Sequence, residues 1–316
     1  MRLLSAPFPW FGGKSRAAEL IWARFGNVAN YVEPFFGSGA VLLGRPHTPG
    51  TETINDLDCY VANFWRAVQA DPAQVAEYAD WPVNEADILA RHEWLLSQED
   101  FRQHIRTDPA FYDAQIAGWW VYGLCSWIGS GWCRLRGDGH PPEQLPHLGD
   151  AGMGIHRSKL PHLGDAGRVD VLRAWFVALQ ARLRGVRVAC GEWDRVLGPS
   201  VTEKHGITGI LLDPPYGSDM QSVTYSAQRA DVGDDVRSWA ILNGQNPLLR
   251  IALCGYAAEH DLPGWEYVGW KAQGGYGSQG EGRGRENAER ETIWFSPACL
   301  SVGLPFAEAS QEPACP

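Results

Sequence analysis

The chain has no pair of cysteines spaced C-x-x-C, no uninterrupted apolar run of spanning length, and no surplus of positive charge. Its seven cysteines, at 59, 125, 133, 190, 254, 299 and 315, are odd in number and widely scattered. That pattern excludes a disulfide framework or a ribbon-type zinc site and reads as reduced, mostly buried thiols. The longest apolar stretch, 116–133, is broken by Gly118, Gly123, Gly129, Ser130 and Gly131, unlike a membrane-spanning helix. The first residues enter a Pro- and Gly-bearing block without the apolar core of a secretory leader, so a cytoplasmic location and no membrane partner are expected. A formal net charge of −10 excludes a protein coated in positive potential, so any nucleic-acid surface has to be local.

What is present is the composition of a globular protein, 45% hydrophobic and 20% charged, with 316 residues, enough for one large domain carrying an insertion. Fifteen tryptophans are the departure from the ordinary. Positive charge is concentrated in residues 134–187, where nine Lys and Arg stand against five Asp and Glu. Residues 71–100 have only Arg91 on the positive side and are expected to form a solvated helical face.

Apolar runs joined by turn residues give the organisation. Tyr31-Val32-Glu33 reads as a short strand, Pro34 to Gly39 as a glycine-bearing turn, and Ala40 to Leu43 as the start of a helix, the unit that opens many doubly wound sheets. Thr53-Ile54 predicts a second strand ending at Asn55-Asp56, after which the period becomes helical through Trp65 and Val68. Further strands are predicted at 186–190, 209–212 and 251–254, and a late pair at 265–270 and 292–295. Residues 72–185 then form an inserted, mostly helical domain between the two parts, 1–71 and 186–300, of an α/β domain. The insertion holds a duplicated Leu-Pro-His-Leu-Gly-Asp-Ala-Gly element at 145–152 and 160–167, too few copies for a solenoid. Gly274 to Gly284 reads as a loop. The chain beyond Pro297 is expected to fray, with 301–316 a flexible tail.

Three blocks carry chemistry. Asp213-Pro214-Pro215-Tyr216 follows an apolar strand, at the sheet edge where ligands of open α/β sheets bind. An amino group conjugated to a ring, such as that of adenine, is a poor nucleophile. It needs acceptors that hold its N–H groups and favour a tetrahedral nitrogen. The Asp213 carboxylate and the Pro214 carbonyl are such acceptors, Pro215 stiffens the turn, and Tyr216 offers a stacking face. An ordinary Asp-Pro turn is the plain alternative. In the second block, Glu33 to Gly39, Gly37 and Gly39 admit close approach of a cofactor, and Asp56 stands where ribose hydroxyls are commonly bound. The third block, Pro9-Trp10-Phe11-Gly12-Gly13-Lys14-Ser15, ends like a phosphate-binding loop. However, Phe8 replaces the required glycine and no strand precedes it. An alternative is a loop whose Trp10 packs on an adenosine and whose Lys14 meets a carboxylate or a main-chain carbonyl.

In this order, Trp10-Phe-Gly-Gly-Lys14, Glu33-Pro-Phe-Phe-Gly-Ser-Gly39, Asn55-Asp56 and Asp213-Pro-Pro-Tyr216 resemble the motifs of Dam-like DNA adenine-N6 methyltransferases. Trp119 to Tyr122 with Gly131 to Arg134, and Asn287 to Phe295, are similar to that family's aromatic helix and last strand. The resemblance implies a doubly wound, Rossmann-like methyltransferase sheet whose insertion recognises the target, and S-adenosylmethionine as cofactor. It implies cofactor contacts from Trp10, Lys14, Glu33, Phe35, Gly37, Gly39, Asp56 and Asp213, with no metal. It also implies double-stranded DNA as partner, a flipped target adenine, a monomer or weak dimer, and work of the restriction–modification kind. Arg134, Arg136, Arg157 and Lys159 are the candidate DNA contacts, and an acid at Glu192 or Asp194 a candidate for the cofactor's adenine edge. A metal site from His147, His156, His162, Asp150 and Asp165 is a weaker reading, since the reaction needs none. Methylation of adenine in RNA or of a glutamine amide, or a non-catalytic nucleic-acid-binding protein of the same fold, are the rivals.

Overall fold

The computed structural model describes residues 4–8, 10, 13–127, 132–133, 169–215, 232–257, 260–269 and 291–301. Seven strands form one sheet: β1 (Asn30–Glu33), β2 (Thr51–Asp56), β3 (Val186–Cys190), β4 (Thr208–Leu212), β5 (Leu249–Tyr256), β6 (Glu266–Gly269) and β7 (Glu291–Phe295). Their order across the sheet is β3-β2-β1-β4-β5-β7-β6. β7 runs antiparallel to both of its neighbours, and the remaining pairs are parallel. This is the doubly wound, Rossmann-like arrangement that the sequence predicts, and the late pair of strands meets as expected. Strand order reverses direction at β1, which pairs with β2 on one side and β4 on the other. The crevice at the carboxyl ends of those strands is therefore the switch point where ligands of such sheets bind.

The period of two in each strand divides its side chains between the two faces. Tyr31, Leu211, Ala252, Cys254, Ile293 and Phe295 enter one apolar cluster, while Val32, Ile210, Leu212, Ile251, Leu253 and Trp294 enter the other. Helix α1 (Ala18–Phe25), the single turn α2 (Ala40–Leu43) and α3 (Cys59–Ala70) belong to the first cluster, and α9 (Val232–Asn243) to the second. α3 starts where it does because the Asp58 side chain accepts from the Tyr60 amide.

The described part of 72–185 is helical: α4 (Pro72–Ala79), α5 (Glu85–Leu96), α6 (Glu99–Thr107), α7 (Ala114–Ser126) and α8 (Val169–Leu183). Residues 71–100 are only half the solvated face expected. Glu77, Glu85, Glu93, Glu99 and Asp100 are exposed, but Val75, Ala76, Ala79, Ile88 and Leu95 are buried, as a 3.6-residue period requires of helices laid on a core. α3 packs against α7 and α8, and α4 against the same two helices, so one cluster runs from the sheet into this helical layer. Tryptophans fill the join. Phe8 lies edge-on to Trp10, Phe64 and Trp120 and tilted against Trp65, at centroid distances of 5.1–5.9 Å.

Past Pro297 the expectation of fraying is corrected. Cys299 is buried with its thiol on the Ile251 carbonyl at 3.5 Å, and the Leu300 amide donates to the Arg24 carbonyl at 2.8 Å. Backbone bonds to the sheet and α1, which composition does not reveal, hold these residues. The duplicated element, the Gly274–Gly284 stretch and residues 302–316 lie outside the described residues. Among the described residues no helix is long and apolar enough to cross a membrane.

Candidate active site

At the carboxyl edge of the sheet each central strand delivers an acid. Glu33 ends β1, Asp56 ends β2, and Asp213 follows Leu212 of β4. A fourth, Glu291, reaches the same edge because β7 is antiparallel: its first residue pairs with Tyr256, the last of β5. Against these stands one lysine. Lys14 Nζ lies 2.9 Å from Asp213 Oδ2 and 3.8 Å from Glu291 Oε2, with only 4% of its side chain exposed. Asp213 keeps 18% of its side chain accessible, so the pair is reachable from one side. Burial raises the Asp213 carboxyl above the ordinary aspartate range, and the Lys14 ammonium works against that shift. Asp213 Oδ1 is buried with no hydrogen-bond partner among the described residues; the Cys254 thiol is close enough to favour the ionised form without meeting that geometry. A buried carboxylate oxygen at this edge is an acceptor suited to an N–H donor.

The turn after β1 is held from three directions. The Gly37 amide donates to Asp56 Oδ2 at 2.9 Å, its carbonyl accepts from Trp65 Nε1 at 2.9 Å, and the Trp10 indole lies over its α-carbon. Gly37 and Gly39 have φ of 49° and 68°, a region that side-chain-bearing residues avoid. A Cβ at Gly37 would sit 2.3 Å from Trp10 Cδ1, and one at Gly39 would sit 2.5 Å from Phe36 Cζ. Gly37→Ala is therefore expected to lower the melting temperature and to weaken binding of S-adenosylhomocysteine at least about tenfold, since strain of this kind costs on the order of 1–3 kcal/mol. Titration calorimetry reads the affinity, and wild-type binding in the variant would show that the turn tolerates the clash.

Asp56 is also anchored on its other oxygen, where Oδ1 accepts the Asp58 amide at 2.9 Å. Each oxygen retains a second lone pair. Burial first, then the Asp58 charge, raises the Asp56 carboxyl to about 7, against the pull of the backbone amides. The sign follows: below that midpoint the group holds its proton, and above it the group is an anion able to accept from two hydroxyls. Affinity for S-adenosylhomocysteine is expected to rise with pH up to about 7 and then level. One unit below the midpoint, roughly nine-tenths of the groups are protonated, so binding is about tenfold weaker. Asp56→Asn should flatten that profile; an unchanged slope would assign the titration to another group.

Glu33 is pushed well up by burial, with its Oε2 accepting the Tyr31 hydroxyl at 2.7 Å and the charges of Asp213 and Asp56 adding to the rise. Its carboxyl is packed into the edge rather than offered to solvent. Phe35 stacks on Trp193 at 6.2 Å and 21° between planes, and both rings are half-buried. Glu192 and Asp194 on either side of Trp193 are exposed.

Of the predicted site residues, the structure brings together Lys14, Glu33, Asp56, Asp213, Pro214, Pro215 and the turn bearing Phe35, Gly37 and Gly39, with Trp10 against Gly37. Tyr216, Arg134, Arg136, Arg157, Lys159 and the histidine set with Asp150 and Asp165 lie outside the described residues. Among the described residues, no three His, Cys, Asp or Glu side chains are grouped as a metal site. Sequence reasoning missed Glu291, Cys254 and Trp193. Glu291 alone had a signal, as an acid opening a strand next to the central ones, and that signal depends on knowing the strand's direction.

Lys14 on Asp213 and an amide-clamped turn on Asp56 distinguish this edge from a nucleotide triphosphate site, where the lysine would be free for phosphate. Residues 10–113 match the family of D12 class N6 adenine-specific DNA methyltransferases. The resemblance read from the four motifs is borne out over that span, which holds Trp10, Lys14, the Glu33–Gly39 turn and Asp56. Asp213 and β7 lie beyond it and join it through Lys14. The match of this span to an adenine methyltransferase family supports an enzyme that methylates adenine, with DNA as the substrate the family name carries. A comparison with curated proteins gives no match.

Proposed function

We propose that this chain transfers a methyl group from S-adenosylmethionine to the N6 amino group of adenine in double-stranded DNA, directly and with the target base turned out of the helix. The observation that carries the reading is Asp213: an acid at the carboxyl end of β4, beside the switch point, with Oδ2 on Lys14 and Oδ1 lacking a hydrogen bond of full geometry among the described residues. The residues fit the cofactor. Among the described residues Glu33, Asp56, Asp213 and Glu291 against Lys14 give the edge an excess of acidic groups, which suits a donor bearing a sulfonium. Asp56 has lone pairs to spare for ribose hydroxyls, and Gly37 and Gly39 keep side chains out of the turn.

When bound, the cofactor supplies an electrophilic methyl group on a cationic sulfur. The chain's own residues do the rest. Asp213 Oδ1 and the Pro214 carbonyl accept the two N6 hydrogens, which draws the nitrogen lone pair out of conjugation. Lys14 sets the position of the carboxylate. Pro214 and Pro215 fix the backbone so that little reorganisation is needed during transfer. Tyr216 provides the stacking face for the flipped base. Arg134, Arg136, Arg157 and Lys159 hold DNA phosphates, and Phe35 with Trp193 borders the adenosine side. A cytoplasmic site of action and a monomer or weak dimer complete the reading.

The test is transfer of labelled methyl from S-adenosylmethionine to unmethylated duplex DNA, followed by nucleoside analysis. Label is expected in N6-methyladenine, with DNA affinity falling steeply as salt rises. No label in DNA from a protein that binds the cofactor would move the activity to RNA or to a glutamine amide.

A further inference from the structure

Cys59 opens α3, and Cys190 closes β3, with their sulfurs 3.9 Å apart. Nothing in the proposed reaction uses either. We propose that they form an oxidisable dithiol, closed to a disulfide by peroxide, that acts on the turn holding Asp56. The first supporting observation is the geometry: Cys190 Sγ donates to Cys59 Sγ, which places the two thiols side by side. The second is the setting of Cys59. It occupies the first turn of a twelve-residue helix, and Arg102 and Arg106 add positive charge. The bond from Cys190, then these two charges, lower the Cys59 thiol below its ordinary value against the effect of burial, whereas donation and burial raise Cys190. One thiol is disposed to attack and the other to resolve.

The chemistry balances. The Cys59 thiolate attacks a peroxide oxygen and breaks the O–O bond, giving a sulfenic acid and hydroxide. The Cys190 sulfur then displaces hydroxide from the Cys59 sulfur, forming the S–S bond and, with its own proton, water. Two thiols lose two electrons, and one hydrogen peroxide becomes two waters. At 4% and 1% exposure both residues are buried, so the oxidant proposed is a small one.

Closure bears on Asp56 because the two cysteines flank it. Cys190 is its partner across the β2–β3 ladder, and the Gly191 amide donates to the Asp56 carbonyl at 3.1 Å. Cys59 directly follows Asp58, whose amide holds Asp56 Oδ1. A disulfide is about 2.05 Å long, so the two sulfurs must approach by roughly 1.9 Å. The bond that closure is expected to weaken is the one from the Asp58 amide to the carboxylate.

Treating the full chain with hydrogen peroxide and mapping non-reduced peptides by mass spectrometry tests this. A Cys59–Cys190 linked peptide, lost on addition of dithiothreitol, is expected. Cys190→Ser should leave Cys59 as a sulfenic acid trapped by dimedone. Recovery of Cys59 and Cys190 as free thiols, or linkage only among other cysteines, would overturn the site. Oxidised protein is expected to bind S-adenosylhomocysteine at least about threefold more weakly, with full recovery on reduction. A linked peptide with unchanged affinity would overturn the action on Asp56. This second arm rests on the cofactor reading; if reduced wild type fails to bind the ligand, that reading fails while the peptide map still decides the dithiol.

Discussion

Replacing Asp213 by alanine is expected to reduce the turnover number for methyl transfer by about 10³ or more, with cofactor affinity changed by less than about tenfold. In the proposed mechanism the carboxylate acts where the nitrogen becomes tetrahedral, and loss of one positioned hydrogen-bond partner of a developing charge costs on the order of 10²–10³ in rate. Here the same substitution also removes the nearer of the two carboxylates that meet the Lys14 ammonium. The protein should still fold, because Glu291 remains 3.8 Å from Lys14 and keeps the buried cation partnered. Single-turnover transfer to duplex DNA, with calorimetric titration of S-adenosylhomocysteine, separates the chemical effect from binding. Activity within about tenfold of wild type would make Asp213 a structural partner of Lys14 and leave the methyl acceptor without a known carboxylate.

The largest effect on stability is expected at Glu52, far from that chemistry. Its Oε1 accepts from Arg45 Nη1 at 3.0 Å and Arg182 Nη2 at 2.9 Å, and its Oε2 accepts from Arg182 Nη1 at 2.6 Å. All three side chains are buried. Arg45 further donates to the Val28 carbonyl and lies over the Trp22 ring, and Arg182 donates to the Leu42 carbonyl, so the network ties α8 to β2 and α2. Removing the carboxylate strands two guanidinium groups in the interior. Breaking a buried ion pair in this way costs about 3–5 kcal/mol, against a far smaller penalty for exposed pairs. Glu52→Ala should therefore melt lower by on the order of 10 °C, and Glu52→Gln, which keeps an acceptor oxygen, by less. Thermal unfolding followed by circular dichroism reads both. A loss below about 1 kcal/mol in the alanine variant would mean that water reaches the arginines and replaces the carboxylate.

Much of this was legible in one dimension because it is local. Strand β3 stands at Val186–Cys190 as the apolar pattern predicts, and β4 differs by one residue at its start. The pattern underestimated β2 and β5, which extend to Thr51–Asp56 and Leu249–Tyr256. Polar Thr51, Glu52 and Arg250 interrupt the apolar run, yet Glu52 is satisfied by arginines from elsewhere, and Arg250 by the Phe25 carbonyl. The packed stretch through Leu300 was invisible for the same reason, since its holding bonds run to Arg24 and Ile251.

The sequence alone determined the alternation of apolar strands, the glycines of the first turn and the acids that end the central strands, since periodicity and backbone sterics act over a few residues. Tertiary structure decided which of those acids share a cation. Lys14 precedes α1, Asp213 follows β4, and Glu291 opens β7, and they meet only because β4 lies beside β1 and β7 is antiparallel. Likewise Cys59 and Cys190 approach because β3 pairs with β2 after the inserted helices return the chain to the sheet. Electrostatic and thiol chemistry depends on distances of a few ångströms between residues remote in sequence, and those distances are set by strand order and direction.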